Sequence, residues 1–241
     1  MNLEKNERME DLQCKGLQII QNKNLYTFTS DSVVLANFVK TKASDVAVEI
    51  GAGSGVISIL IQAKNKVKKI FAFEIQHEMA LLCEKNLILN NLQEKVELIA
   101  DDVKNFKKHF EKSVDVVFSN PPYFKVTDFA QTDCKKIAKE EVCLSCADLC
   151  KVASAMLKSG GSFYCCYSAE RSCELISELA KNKLSVKEML FTENGKGEVK
   201  LVVIKATKDG KAGVKVHPNL VTNEQNGDYL EILHTKNFGK V

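Results

Sequence analysis

The fold is decided by the ten residues VAVEIGAGSG, residues 46–55, which join an apolar run to a loop with glycine at alternate positions. The apolar run predicts a buried strand, and Gly51, Gly53 and Gly55 permit a tight turn with close backbone approach to a ligand at a helix N-terminus. Their G-x-G-x-G spacing differs from the dinucleotide pattern G-x-G-x-x-G, because residue 56 is valine. A glycine-rich loop alone is also compatible with a purely structural turn.

Short apolar runs alternate with helical patterns along the rest of the chain. The predicted strands cover residues 46–50, 69–73, 96–99, 115–118, 162–167, 186–191 and 199–205, with an additional strand near 214–217. This alternation predicts an α/β fold with a mostly parallel seven-stranded sheet and helices on both faces. Only residues 192–198 separate the last two of the seven strands, which is too short for a parallel crossover. The chain therefore predicts an antiparallel strand near the C-terminus.

The first 45 residues are expected to form an extension that packs on this sheet. Residues 17–28 predict a hairpin that turns at 22–24, and Ser30 and Asp31 are suited to cap a helix that runs to about Val39. We therefore divide the chain into residues 1–45, a hairpin and helix, and residues 46–241, the α/β domain. Within that domain a helix is predicted over residues 142–157, ended by the glycines at 160 and 161.

Composition limits the class of protein. Of the 241 residues, 45% are hydrophobic and 27% are charged, which is typical of a globular domain. No apolar stretch approaches the roughly 20 residues that span a bilayer, and residues 1–15 lack a signal-peptide core, so we expect a cytoplasmic protein without membrane attachment. The net charge of +3 permits a nucleic-acid partner without indicating one. Cys143, Cys146 and Cys150 share one face of a predicted helix and are interpreted as buried thiols, and no metal is expected.

Acidic and amide residues follow the predicted strands, at the edge where open α/β sheets bind ligands. Glu74 ends the second strand and is suited to accept both hydroxyls of a ribose, although a solvated acid is the alternative. Asp101 and Asp102 follow the third strand and are suited to accept an adenine amino group or to cap the next helix. The fourth strand is followed by Asn120, Pro121, Pro122 and Tyr123. The order of these residues at successive strand ends favours one shared ligand site.

The segment NPPY at residues 120–123 indicates a specific chemistry. The two prolines fix φ and remove two N–H donors, which leaves carbonyl acceptors beside the Asn120 amide. The Asn120 side chain and the Pro121 carbonyl can accept both N–H groups of an exocyclic amine, so that its lone pair points at an electrophile. Tyr123 can stack on the attached planar group, which contributes roughly 1–3 kcal/mol per base. A rigid turn that closes the strand is the alternative.

With these motifs in this order, the chain resembles the class I S-adenosylmethionine-dependent methyltransferases that modify amino groups. The segments LQIIQNKNLYTFTSDSVVLANF, FEIQHEMA, SNPPYF and EQNGDYLEIL are similar to the tRNA1(Val) (adenine-37-N6)-methyltransferase family. The resemblance implies a Rossmann-like class I methyltransferase fold and S-adenosylmethionine as the cofactor. It also implies methyl transfer to N6 of adenine-37 in tRNA, with tRNA as the partner and no obligate protein partner.

The resemblance further implies roles for individual residues. Residues of the glycine loop, the strand ends and the N-terminal segment would bind the cofactor: Thr29, Asp31, Glu49, Gly51, Gly53, Gly55, Glu74, Asp101, Asp102 and Asn120. The catalytic residues would be Asn120, Pro121, Pro122 and Tyr123, and those that bind the substrate would be Asn120, Tyr123, Phe124 and Lys139. Members of the family usually carry arginine where this chain has Lys139, and lysine keeps the charge but lacks the planar guanidinium group.

Three alternative functions remain open at this point. A protein glutamine N5-methyltransferase that acts on release factors would use the same motif on a side-chain amide, although such enzymes carry a longer helical domain before the core. A DNA adenine N6-methyltransferase would use the same chemistry on a flipped base. A non-catalytic protein could bind S-adenosylmethionine or RNA alone. Basic clusters at residues 64–69, 104–112 and 205–215 would contact tRNA phosphates if they border the cleft.

Overall fold

A computed structural model describes residues 3–110, 113–122 and 144–222. It begins with an antiparallel hairpin of β1 (Glu7–Asp11) and β2 (Gln18–Asn22), followed by α1 (Ser30–Phe38). The hairpin predicted over residues 17–28 is wrong in its turn, because residues 12–17 make the connection, whereas the predicted turn at 22–24 begins at the last residue of the second strand. The error has a physical cause: β1 has the polar sequence ERMED, with no apolar alternation to mark it as a strand.

The α/β domain follows in the predicted order. Its elements are β3 (Val46–Ile50), α2 (Val56–Asn65), β4 (Lys69–Phe73), α3 (His77–Leu89), β5 (Val96–Ile99), a 3-10 helix (Val103–Lys108), β6 (Val114–Ser119), α4 (Cys146–Met156), β7 (Leu157–Ser168), a 3-10 turn (Ala169–Arg171), α5 (Ser172–Lys181), β8 (Leu184–Asn194), β9 (Val199–Lys208), β10 (Lys215–Val216) and β11 (Leu220–Thr222). The helix predicted to end at the glycines ends at Met156 instead. Both glycines lie inside β7, and a Cβ on Gly161 would stand 3.0 Å from the Asp115 carbonyl oxygen of the neighbouring strand.

The sheet has the order β10-β8-β9-β7-β6-β3-β4-β5, and β11 also pairs with β8. The strands from β3 to β7 are parallel, whereas β9 is antiparallel to both β7 and β8. The predicted antiparallel strand is therefore confirmed, and the seven predicted strands are all present. Two short strands, β10 and β11, extend the sheet to nine strands in the described part of the chain.

The strand order places the ligand crevice. The chain runs from β3 outward to β5 and then returns to β6, on the opposite side of β3. Such a reversal separates the loops that follow β3 and β6, and ligands bind in the crevice between them. These are the loops that carry the three glycines and the Asn-Pro-Pro segment. The side chain of Ser119 donates to the Ile50 carbonyl at 2.8 Å and ties the two strand ends together.

Two apolar layers cover the sheet, one on each face. The N-terminal hairpin joins the first layer through Leu12 and Ile19, which are both fully buried. The buried Asn86 side chain on α3 exchanges two hydrogen bonds with the Ile20 backbone and donates a third, at 3.0 Å, to the Ser54 carbonyl of the glycine loop. The N-terminal segment is thereby connected to the loop that precedes α2. No helix in residues 3–110, 113–122 or 144–222 has the length and apolar character needed to cross a membrane.

Candidate active site

A cavity opens at the carboxyl ends of β3, β4, β5 and β6. Eight residues predicted from the sequence line it together: Gly51, Gly53, Glu74, Asp101, Asp102, Asn120, Pro121 and Pro122. They come from four separate strand ends and meet because neighbouring parallel strands end at the same edge of the sheet.

Other predicted residues lie elsewhere. Thr29, Asp31, Glu49 and Gly55 are not among the residues that line the cavity. Thr29 precedes α1 as its N-cap, and its hydroxyl donates to the Asp31 carboxylate at 2.9 Å. The predictions for Tyr123, Phe124 and Lys139 lie outside the described residues.

The cavity also has walls that the sequence reasoning did not identify. Tyr26, Phe28 and Ser32 come from the N-terminal segment, and Gln76 and Met79 come from the start of α3. The prediction of Thr29 and Asp31 as site residues already pointed to the N-terminal segment. It did not indicate which side chains of that segment face the cavity.

Backbone hydrogen bonds fix the glycine loop. The N–H groups of Gly51 and Ala52 both donate to the Phe73 carbonyl, at 3.0 and 2.8 Å, which ties the loop to the end of β4. Gly51, Gly53 and Gly55 have φ of 73°, 57° and 84°, in the left-handed region that favours glycine. A Cβ built on Gly51 would have no described atom within 4 Å, so a ligand can approach the backbone closely there.

Glu74 is held in one orientation by two backbone donors. Its Oε2 accepts the Gly53 N–H at 2.8 Å and its Oε1 accepts the Gln76 N–H at 2.9 Å. The residue is 5% exposed, and burial raises the pKa of its carboxyl group against the opposing effect of these hydrogen bonds. Each oxygen retains a second lone pair, so the carboxylate can still accept hydroxyl groups from a ligand.

Glu49, one strand away, is sealed from the cavity. It is fully buried, and its Oε2 accepts hydrogen bonds from the backbone N–H and the hydroxyl of Ser58 on α2. Its Oε1 has no hydrogen-bond partner among the residues that the structure describes. Burial raises the pKa of this carboxyl group to about 8, with a smaller contribution from the charge of Glu74. Glu49 is therefore largely neutral at pH 7.

The two aspartates after β5 have different partners. Asp101 accepts hydrogen bonds from His109 at 2.8 Å and Asn105 at 2.9 Å, and these bonds lower the pKa of its carboxyl group to about 2. Asp102 caps the 3-10 helix, because its Oδ1 accepts the Lys104 N–H at 2.9 Å. The capping interpretation is therefore confirmed for Asp102. Adenine binding by Asp101 or Asp102 stays a prediction, and the choice between them stays open.

Asn120 presents an unused acceptor. Its Nδ2 donates to the Ser32 hydroxyl at 3.2 Å, while its Oδ1 is buried without a hydrogen-bond partner. Across the described residues, the buried side-chain oxygens without a partner belong to Thr41, Glu49, Gln76 and Asn120. Gln76 and Asn120 line the cavity. Because unpartnered buried acceptors are costly, these two oxygens suit a ligand that brings N–H or O–H donors.

The basic clusters are distributed unevenly around this cavity. Lys104 lies beside it and pairs with Asp102 at 3.3 Å. Residues 64–69 join α2 to β4 at the opposite, amino edge of the sheet, where the Lys64 side chain donates to Asn37. Lys205 lies on β9 and pairs with Glu188 at 3.1 Å. Within the described part of the chain, the 104–110 segment is the predicted basic cluster that adjoins the cavity.

Comparison with known proteins agrees with this geometry. The family model described as "Methyltransferase small domain" matches residues 28–189, which is more than half of the chain. A tRNA1(Val) (adenine(37)-N6)-methyltransferase from Dyadobacter fermentans is 25% identical over 215 residues, covering 88% of this chain and 89% of that relative. A protein of the same name from Shewanella frigidimarina is 27% identical over 176 residues, covering 71% and 70%.

Solved structures share the architecture at lower identity. A structure described as a predicted O-methyltransferase from Agrobacterium tumefaciens has a TM-score of 0.67 at 17% identity, covering 87% of this chain and 98% of that one. The tRNA m1G37 methyltransferase of M. jannaschii has a TM-score of 0.60 at 17% identity, covering 88% and 59%. At such identities the likeness shows the class I methyltransferase fold.

Proposed function

Because the chain belongs to the methyltransferase small domain family, we propose that it transfers a methyl group from S-adenosylmethionine to N6 of an adenine in tRNA, adenine-37 of tRNA1(Val). The names of relatives that align along most of the chain support this substrate. The observation that carries the proposal is the buried Oδ1 of Asn120 in the wall of the cavity, which has no hydrogen-bond partner among residues 3–110, 113–122 and 144–222.

The cavity residues fit the cofactor. S-adenosylmethionine supplies an electrophilic methyl group on a positively charged sulfur. Glu74 has a spare lone pair on each oxygen for the ribose hydroxyls, and the open space at Gly51 admits the methionine part against the backbone. Asp101 and Asp102 line the end of the cavity that follows β5 and would bind the adenine ring.

Asn120 and Pro121 prepare the target nitrogen. The lone pair of an adenine N6 amine is delocalised into the ring, which makes the nitrogen a poor nucleophile. When Asn120 Oδ1 and the Pro121 carbonyl accept its two N–H groups, the nitrogen becomes more tetrahedral and its lone pair is directed at the methyl group. No general base is needed before attack, because the N–H becomes acidic as the fourth bond forms. The methyl–sulfur bond would break as the methyl–nitrogen bond forms, S-adenosylhomocysteine would leave, and the nitrogen would then release its proton to water. Stacking of the base on Tyr123 remains a prediction from the sequence.

A tRNA loop suits this site energetically. The target adenine must leave its stack to reach the Asn-Pro-Pro segment, at a cost of a few kcal/mol that is smaller for an unpaired base. Contacts of Lys104 and its neighbours with phosphates would make binding weaken steeply as salt concentration rises. A loop adenine in a polyanionic substrate meets both conditions.

Methyl transfer from labelled S-adenosylmethionine tests the proposal. The label is offered in parallel to unmodified tRNA1(Val), bulk DNA and a release factor, and the products are digested to nucleosides or peptides. We expect N6-methyladenosine at position 37 of the tRNA. Label on a release-factor glutamine or on DNA would assign a different substrate, and absence of label in all three with intact cofactor binding would favour a non-catalytic protein.

The variant Asn120→Ala is the matched control for the chemistry. It removes the acceptor oxygen without touching Glu74 or the glycine loop. We expect it to abolish methylation while the affinity for S-adenosylhomocysteine, measured by calorimetry, stays within a few-fold of the wild type. An equal loss of both would show that the segment acts mainly as a structural turn.

A further inference from the structure

Ser32 connects the N-terminal helix to the Asn-Pro-Pro segment. Its Oγ lies 3.2 Å from Asn120 Nδ2, across 88 positions of sequence. Ser32 is 5% exposed and lines the cavity together with Asn120. The contact occupies one end of the Asn120 carboxamide, and the other end is the buried oxygen, which has no partner in the described part of the chain.

We propose that Ser32 is a positioning residue, which holds the Asn120 carboxamide with Nδ2 toward α1 and Oδ1 toward the target amine. The proposal rests on the proposed function and extends the methyl-transfer site to α1. The last side-chain torsion of asparagine has a broad, roughly two-fold profile, so an external contact is needed to fix it. The Ser32 hydroxyl can accept from an amide N–H or donate to an amide oxygen, so it holds the torsion, and the N–H donors of the substrate then favour the orientation with Oδ1 toward them. In the opposite orientation the amide would direct its N–H donors at the N–H donors of the substrate, and the nitrogen would lose an acceptor.

Both partners of the contact are fixed by their own elements. Ser32 lies in the first turn of α1, and its backbone N–H donates to the Thr29 carbonyl at 3.1 Å. Val33 and Leu35, its neighbours on α1, are fully buried in the core. On the other side, the Ser119 hydrogen bond to Ile50 anchors the residue before Asn120. The carboxamide is therefore held between two rigid elements, and a lost hydroxyl at Ser32 would free its rotation.

Four variants separate orientation from packing. Ser32→Ala removes the acceptor, Ser32→Cys keeps a similar shape with a weak acceptor, and Ser32→Thr keeps the hydroxyl. Ser30→Ala makes the same chemical change on the same helix, at a residue that is not part of the cavity wall. We expect kcat to fall about tenfold in the Ala and Cys variants, consistent with the loss of one hydrogen bond. The Thr and Ser30 variants should keep at least half of the wild-type kcat.

Binding and turnover together decide the outcome. The affinity for S-adenosylhomocysteine should stay within twofold of the wild type in all four variants. The proposal is overturned if Ser32→Ala retains kcat within twofold, if cofactor affinity falls in parallel with kcat, or if Ser32→Thr loses as much activity as Ser32→Ala. The last result would show that packing at position 32, rather than its hydroxyl, controls the rate.

A spectroscopic measurement tests Ser32 independently of the substrate. The side-chain amide resonance of Asn120 in a ¹H–¹⁵N spectrum is identified by its absence in Asn120→Ala. It should shift in Ser32→Ala and stay in place in Ser30→Ala. Failure of the wild type to methylate tRNA would reject the proposed function, but the spectrum would still test the contact between Ser32 and Asn120. An unchanged Asn120 resonance in Ser32→Ala would reject the role of Ser32 alone.

Discussion

Glu49 and Glu74 are two buried glutamates at the ends of neighbouring parallel strands, and their surroundings differ. Glu74 lines the cavity, with one backbone N–H on each of its oxygens. Glu49 is sealed behind the glycine loop, where Ser58 bonds to one oxygen and the other has no partner within the described residues. Burial raises the pKa of the Cys83 thiol, and the nearby charge of Glu74 raises it further. Two neighbouring strands thus carry one carboxyl group that faces the cavity, that of Glu74, and one that is enclosed in the core, that of Glu49.

The difference shows how environment divides the roles of identical side chains. A carboxylate that is fixed by backbone donors and open on one side is prepared to receive hydroxyl groups. A carboxyl group that is fully enclosed avoids ionisation, because burial without a counter-charge disfavours the charged form. We therefore expect substitutions of Glu74 to change cofactor binding, and substitutions of Glu49 to change stability.

The largest expected effect is the loss of cofactor affinity in Glu74→Ala. The substitution removes the acceptors for the ribose hydroxyls and leaves the N–H groups of Gly53 and Gln76 without partners. Loss of hydrogen bonds to a charged group costs about 2–3 kcal/mol, so the dissociation constant for S-adenosylhomocysteine should rise about 100-fold. Isothermal calorimetry measures this constant directly.

Two further variants make that result specific. Glu84→Ala removes an exposed carboxylate from α3 and should leave the dissociation constant unchanged. Glu49→Gln should leave it within threefold of the wild type. A 100-fold loss in Glu49→Gln would break the comparison, because it would show that the enclosed carboxyl group also takes part in binding.

A smaller effect is expected on the stability of Glu49→Ala. The substitution opens a cavity under the glycine loop and removes the acceptor of two Ser58 hydrogen bonds. Below pH 4.5, where the Glu49 carboxyl group is protonated in both the folded and the unfolded state, such a change destabilises the folded state by about 2–3 kcal/mol, whereas the isosteric Glu49→Gln should cost about 1 kcal/mol or less. Urea unfolding monitored by circular dichroism gives both free energies. Equal losses in the two variants would indicate that the carboxyl group itself, rather than the volume it fills, is what matters there.

The pH dependence of stability provides a third test. The pKa of Glu49 is raised from 4.5 to about 8 in the folded state, so the unfolded chain ionises this group first as pH rises. The stabilisation is complete below pH 4.5 and is lost as pH rises toward 8, at up to about 1.4 kcal/mol per pH unit. The free energy of unfolding of the wild type should therefore fall relative to that of Glu49→Gln across this range. Parallel curves for the two proteins would show that Glu49 is ionised in the folded state.

The sequence predicted the sheet better than it predicted the contacts within the site. The bounds of β3, β4 and β5 were predicted to the residue, because each is a short, mostly apolar run. The cavity position followed from the strand order. The enclosure of Glu49 was not predictable, because it depends on Ser58 in the helix that follows the loop. The sequence also did not predict that Ser32 and Gln76 line the cavity. The position of each depends on packing between elements that carry no shared motif.

The smallest expected effect concerns the glycine between the two glutamates. A Cβ on Gly55 would stand 2.8 Å from the Cys83 sulfur, and the φ of 84° at this position is strained for any residue with a side chain. We expect Gly55→Ala to cost about 1–2 kcal/mol of folding free energy from strain and overpacking together. In a Cys83→Ala background the sulfur is absent, so the same substitution should cost about 1 kcal/mol less. Urea unfolding of the four proteins in this cycle measures the coupling. If the cost of Gly55→Ala were the same in both backgrounds, the strain would lie entirely in the backbone. The contact between α3 and the glycine loop, which lies between Glu49 and Glu74, would then not contribute to the cost.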